Sequence, residues 1–269
     1  MNKTKIWSVI LYLLSVVIIN SPLPAQESSV KFGSKQWIVE GGILVNKPGS
    51  AINDDIVKMG ALVQSQLGFS PRLAKWNVTG DINALIGRKV TNSLIVGISA
   101  DFSTGSIGND ETYRQIPFQI PQIGTIPVDI NQHFKNKYTD KVLSLNMIYY
   151  FTPGRRISPY IQGALTHHWF ESITDLDFSI AALSLNRLIN VKLNETAIGF
   201  TPIAGVDIYL KTDLLCYFKL SYPMATIKGP AGVKDNTNSV IQNYRMDSKI
   251  KLDGFGIYVG FGYSFGRIL

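Results

Sequence analysis

GFGIYVGFGYSFG, residues 254–266, is the stretch whose reading decides the fold. Phe255, Ile257, Val259, Phe261, Tyr263 and Phe265 share one parity, and Gly254, Gly256, Gly260, Gly262, Ser264 and Gly266 share the other. A period of two is that of a β-strand, whose successive side chains point to opposite faces. One face of this strand is bulky and apolar; the other is small or polar.

The same alternation recurs seven times upstream. Val39, Ile43 and Val45 oppose Glu40; Ile82 and Ile86 oppose Asp81 and Asn83; Ile98 and Phe102 oppose Ser99 and Asp101. Leu143, Leu145 and Met147 oppose Ser144 and Asn146, and Ile161, Leu165 and Trp169 oppose Gln162, Thr166 and His168. Ile198, Phe200 and Ile208 oppose Thr201 and Asp207, and Leu214, Phe218 and Leu220 oppose Tyr217 and Lys219. Eight such segments predict an all-β chain. The gaps between them alternate: 88–91, 153–156 and 211–213 are short, whereas 47–75, 103–141, 171–195 and 229–251 are long. An even strand count with tight turns at one end and long connections at the other is the pattern of a transmembrane barrel. The expected fold is one eight-stranded antiparallel transmembrane β-barrel with short periplasmic turns and long extracellular loops.

Composition agrees. Charged residues are 17% of the 269, below the roughly 25% of soluble domains, and the 13 Phe, 12 Tyr and 4 Trp exclude a disordered chain. The single cysteine, Cys216, excludes a disulfide scaffold. In lipid every backbone donor and acceptor must be paired within the protein, so a sheet has to close. Its outside is then apolar and its inside is free to be polar. A soluble ligand-binding barrel reverses this, which the inward Glu40, Asp81, Asp101, Asp207 and Lys219 argue against. Trp37, Trp76, Tyr149, Phe151, Trp169, Tyr222 and Tyr263 lie near strand ends, where an interfacial aromatic girdle belongs.

Residues 1–25 have the order of a secretory signal peptide. Lys3 and Lys5 precede an uncharged run at 6–19, and Pro22 and Pro24 lead to a cut after Ala25. Removing it leaves residues 26–269 as the barrel domain, with the formal charge lowered from +7 by the two lysines to +5. Export to the bacterial outer membrane is the expected localisation.

Residues 254–266, the hairpin start SPYIQGAL at 158–165 and GFTPIAGVDIYL at 199–210 resemble small bacterial outer-membrane barrels. The chain is similar to the outer-membrane β-barrel domain family common in Bacteroidetes, related in shape to the OmpA, OmpX and OmpW barrels. It departs from them in running past Phe265 to Leu269 instead of ending on an aromatic residue. The resemblance implies a non-enzymatic structural, assembly or secretion-accessory role through the outer loops, PorT-like in its most specific form. The alternative it implies is an OmpW-like channel for small solutes or hydrophobic compounds.

The chemistry-bearing residues are few. Glu40, Asp81, Asp101, Asp207 and Lys219 form an expected interior polar cluster, in which Lys219 pairs diagonally with Asp207 to make a salt-bridged plug. Adjacent His167 and His168 point to opposite faces and do not chelate a metal together. His168, with Glu171 and Ser172 near the outer rim, is the one hint of lipid hydrolysis. No phosphate loop, CxxC or HExxH occurs, so no cofactor, metal or catalytic residue is assigned. The basic residues are scattered, which speaks against nucleic acid. The net positive last loop suits lipopolysaccharide, and envelope or secretion proteins are the expected partners. FSIAALSLNRLI at 178–189 is too apolar for a solvated loop and is expected to cap the barrel as a short helix or to meet a partner.

Overall fold

The computed structural model describes residues 35–48, 54–67, 69–76, 78–120, 124–237 and 240–266. The signal peptide and the C-terminal Leu269 lie outside them. Nine strands are present: β1 (Trp37–Pro48), β2 (Thr79–Lys89), β3 (Leu94–Ile120), β4 (Gly124–Tyr150), β5 (Ile157–Ile180), β6 (Leu185–Tyr209), β7 (Leu214–Ser221), β8 (Met224–Thr237) and β9 (Val240–Phe265). All neighbours are antiparallel, and β1 pairs with β9 from Trp37↔Phe265 to Pro48↔Gly254, which closes the sheet. β7 and β8 are one wall strand interrupted at Pro223, since both lie between β6 and β9 in one register. Eight strands therefore form the ring.

The outward parity at mid-height is that read from the sequence. Ile43, Ile82, Ile98, Leu145, Leu165 and Phe261 are all exposed. The belt on β9, Phe255 to Tyr263, spans about 27 Å of strand and roughly 20 Å of height at the usual tilt, near the apolar band of a membrane barrel. Among the described residues no helix is long and apolar enough to cross a membrane. Leu145, opposite Ile98 and Leu165, sits mid-belt. Leu145→Arg is therefore expected to cost about 2–4 kcal/mol in vesicle-embedded protein, and Thr139→Arg, above the belt, under about 1 kcal/mol. Urea unfolding in lipid checks the pair.

Three of the four long gaps are not loops. Strands continue through them, so that β3–β4, β5–β6 and β8–β9 are long hairpins that raise the barrel wall above the belt. On these extensions the apolar parity is reversed. Ile130, Phe134 and Tyr138 of β4 point inward between outward Asn131, His133, Lys135 and Lys137, whereas Leu143 and Leu145 of the same strand point outward. The reason is the surroundings: water outside the extension sends its apolar side chains to the interior, and lipid outside the belt draws them out. Residues 178–189 accordingly form the β5–β6 tip. Phe178, Ile180 and Ile189 are fully buried, and the only helical part is a three-residue 3-10 turn, Ala181–Leu183.

The fourth gap holds helix α1 (Asp54–Leu67), whose buried Ile56 and Val63 lie two turns apart on one face. They pack into the mouth of the extension with Phe69, Phe134, Phe178 and Ile189. Residues 72–76 then descend the inner wall. Asn109 Nδ2 and Gln132 Nε2 donate to the Arg72 carbonyl at 2.7 and 2.9 Å, and the Ala74 N–H donates to Asn109 Oδ1 at 3.0 Å. Side chains thus satisfy backbone that no ladder reaches. Trp76, expected in the outer girdle, is turned inward, with Nε1 donating to Asn136 Oδ1 at 2.7 Å. Its strand begins only at Thr79.

Candidate functional site

The interior is layered. At the short-turn end Tyr150, Tyr160, Tyr209, Tyr217 and Tyr258 pack with Ile38, Leu85 and Leu215. Glycines make room for these rings: a Cβ on Gly42 would stand 2.4 Å from the Tyr217 hydroxyl, and one on Gly205 would stand 2.5 Å from the Tyr160 ring. Embedded here are three of the five predicted interior groups. Lys219 donates to Glu40 Oε2, with both side chains buried. Asp207, fully buried, accepts from the Tyr150 hydroxyl at 2.6 Å. The predicted Lys219–Asp207 pair is therefore replaced by Lys219–Glu40. Barrel closure brings β1 close enough to β7 for this contact, whereas hairpin proximity favoured Asp207. The Lys219 ammonium also stands 4.4 Å from the Tyr217 ring centroid.

Above this layer lies a polar cavity of about 110 Å³. Asp81 and Asp101 reach it, as does the Lys219 side chain from the layer beneath, whereas Glu40 and Asp207 do not. Asn46 Nδ2 donates to Asp81 Oδ2 at 2.7 Å, and Asn83 Nδ2 donates to Asp101 Oδ1 at 2.5 Å. Asp140 and His168 join them there. Asp140 lay in a stretch read as loop, although its even parity with Ser144 and Asn146 already marked it as inward. Higher still, the hydrophobic interior of the extension closes the axis. The tyrosine layer below and this interior above both fill the axis.

His168 is buried inside the wall and is not a rim residue. Its Nδ1 is 2.9 Å from Asp140 Oδ2 and its Nε2 is 3.0 Å from Thr166 Oγ1. Glu171, expected beside it, is outside and salt-bridged to Lys192 at 2.8 Å. Carboxylate, imidazole and hydroxyl in sequence resemble a nucleophile relay. The backbone on either side is paired into the β4–β5 and β5–β6 ladders, and the amides of Asn146 and Gln162 donate to Ser99, Ser144 and Asn146. The arrangement orients the His168 ring. His167 faces outward, its ring 4.4 Å from that of Trp169. Among the described residues no three of His, Cys, Asp and Glu gather closely enough to hold a metal ion.

The wall itself carries the other notable feature. β6 pairs with β8 at 187–192 and again at Gly199 and Phe200, in one unchanged register. Between these, residues 193–198 and 226–231 are not paired with each other. This is a parting of the hydrogen-bond ladder, not a slip, about 20 Å long at the usual rise per residue, and the two strands stay side by side along it. Pro230 within it has no N–H to offer. The Glu195 side chain lies over Gly229, where any Cβ would meet it at 2.2 Å. Leu193, Ala197, Ile227 and Ala231 on the parted edges belong to the hydrophobic interior of the extension or pack against it. Exposed Ile198 and Met224 mark the belt edge at its foot. Unpaired backbone is not tolerated in hydrocarbon, and the parting lies above the belt. Lower down, at the β7–β8 interruption, the Tyr222 N–H donates to the Pro202 carbonyl at 3.1 Å and keeps the wall joined.

No protein-family model matches the chain, and no curated protein does. Among solved structures it is similar to the outer membrane protein OprG of Pseudomonas aeruginosa, at 14% identity over 88% of this chain and all of that one, with a TM-score of 0.47. It is also similar to the outer membrane protease OmpT of Escherichia coli (11% identity, 90% of this chain and 100% of that one, TM-score 0.44). A third likeness is to the Escherichia coli outer membrane protein W (14% identity, 86% and 98%, TM-score 0.36). At this level the likeness is one of general barrel shape and says nothing of activity.

Proposed function

We propose that this protein is a bacterial outer-membrane barrel that passes small apolar molecules sideways, from the interior of its outer extension into the outer leaflet. The observation that carries this reading is the interrupted β6–β8 ladder, a stretch without paired backbone that runs from the apolar interior of the extension towards the upper edge of the lipid-facing belt. An axial route is opposed by the tyrosine layer and the Lys219–Glu40 pair beneath. Glu195, lying over Gly229 in the parting, is the side chain that has to move. Lys135, Lys137 and Lys141 on the outside of β4, above the belt, suit the phosphates of lipopolysaccharide as a lipid neighbour.

The test is to tie the parting shut. Thr196→Cys and Lys228→Cys, in a Cys216→Ala background, are joined by a short bifunctional thiol reagent. Uptake of an apolar tracer into vesicles is expected to fall to the level of protein-free vesicles after cross-linking, with the unreacted variant unchanged. Equal uptake before and after would overturn the lateral route.

The assembly or secretion-accessory reading draws support from the packed, rigid β-hairpins that project beyond the belt. Its check is copurification from the native membrane: a stoichiometric set of envelope proteins supports it, and a barrel recovered alone opposes it.

A further inference from the structure

The unpartnered groups of the mid-barrel cavity are mostly hydrogen-bond acceptors. Asn46 Oδ1, Asp81 Oδ1, Asp140 Oδ1, Gln162 Oε1 and Asp253 Oδ1 all line it, and none has a hydrogen-bond partner among the described residues. Asp81 and Gln162 are each more than nine-tenths buried, so bulk solvent does not serve them. Asp101 adds a further carboxyl group to the lining. Of the donors in the lining, the Lys219 ammonium is held by Glu40, both His168 nitrogens face oxygen partners and the amides of Asn83 and Asn146 have acceptors, which leaves the Ser221 hydroxyl as the unpartnered one. Buried acceptors without donors are costly, and in a poorly polarisable interior that cost is large.

We propose that this cavity is a binding site for a small primary ammonium or guanidinium compound. Such ions are rich in donors and have no acceptors; an ammonium offers three N–H groups and a guanidinium five in a plane. They supply donors to the unpartnered oxygens, together with the positive charge that Asp81, Asp101 and Asp140 attract. The unclaimed amide oxygens of Asn46 and Gln162 make this more than an acidic cluster, because they call for donors whatever the charge state of the carboxyls. About 110 Å³ gives room for roughly eight to ten water-sized groups, the size of a small amine and not of a sugar. The site is independent of the lateral route. A barrel that binds amines yet passes no apolar tracer keeps this site and loses that route.

The full chain, folded in detergent, is to be titrated with ethylammonium chloride and methylguanidinium chloride, with sodium acetate and ethanol as controls, by calorimetry and by NMR of the side-chain amides. One saturable site per barrel for the cations and none for the controls is expected. Asp101→Asn and Gln162→Leu should each weaken binding by about tenfold or more, the worth of one hydrogen bond to a charged group. Unheated gel mobility checks that each variant is folded. A folded barrel with no saturable uptake at millimolar cation overturns the proposal, as does binding indifferent to both substitutions. Native mass spectrometry separates the sources of an amine. Retained phosphatidylethanolamine without uptake of free amine would place a lipid headgroup there and overturn the small-molecule reading.

Discussion

Glu40→Ala is expected to destabilise the barrel by about 3–5 kcal/mol, the usual result of removing one partner from a buried ion pair. Lys219 and Glu40 are 2% and 3% exposed, so neither charge has water to fall back on. The cost arises from stranding the Lys219 ammonium, not from a large net value of the pair itself. Changing both residues together, Glu40→Leu with Lys219→Met, should therefore be close to neutral or stabilising. Urea unfolding in lipid or detergent measures both. Asp207 makes the experiment sharper, because its hairpin neighbour Gly205 faces Lys219 across the β6–β7 ladder. A single-variant cost below about 1 kcal/mol would mean that Asp207 captures the stranded ammonium, giving up the Tyr150 hydroxyl. In that event the native preference for Glu40 is slight. A full cost with a neutral double variant establishes the Glu40 pairing as the one that matters.

Phe178→Ala should cost about 3–5 kcal/mol as well, but locally. Its ring is fully buried at the β5–β6 tip and meets Phe69 edge-on, with centroids 5.5 Å apart. Phe69 follows α1, so the cavity left by alanine would lie between the extension wall and the segment that fills its mouth. Nothing in the lipid belt touches that position. Amide exchange should quicken in α1, at 176–180 and at 187–193, while the belt residues of β3, β4 and β9 keep their protection. Uniform loss of protection across belt and extension would show that the two unfold as one unit and would overturn this division.

The division also explains what was legible in the chain. The belt reads plainly, because lipid outside and a polar interior impose one phase of alternation on every strand. At Lys141 on β4 and Glu171 on β5 polar residues appear in the outward phase, and the apolar set moves to the other parity. An expectation built on one phase ends there, which is why 103–141, 171–195 and 229–251 read as loops. Within 178–189 the buried Phe178, Ile180 and Ile189 carried the hydrophobicity that suggested a capping helix. Trp76 was misplaced for a related reason: its parity continues that of β2, but the strand has not yet begun, and Asn136 draws the indole inward.

By itself the sequence determined the closed barrel, the end that carries the tight turns, and the side of the wall on which Glu40, Asp81, Asp101, Asp207 and Lys219 stand. Each of these follows from parity and spacing, which act between neighbours in the chain. Only the tertiary structure decided which of those groups meet. Lys219 and Glu40 are 179 residues apart and come together because β9 closes on β1, leaving Asp81 and Asp101 in a different layer with Asp140 and His168. The interrupted β6–β8 ladder and the cavity's unpartnered acceptors likewise depend on distances across the barrel. Alternation along a strand fixes the face on which a side chain lies, but the curvature of the closed sheet sets its partner.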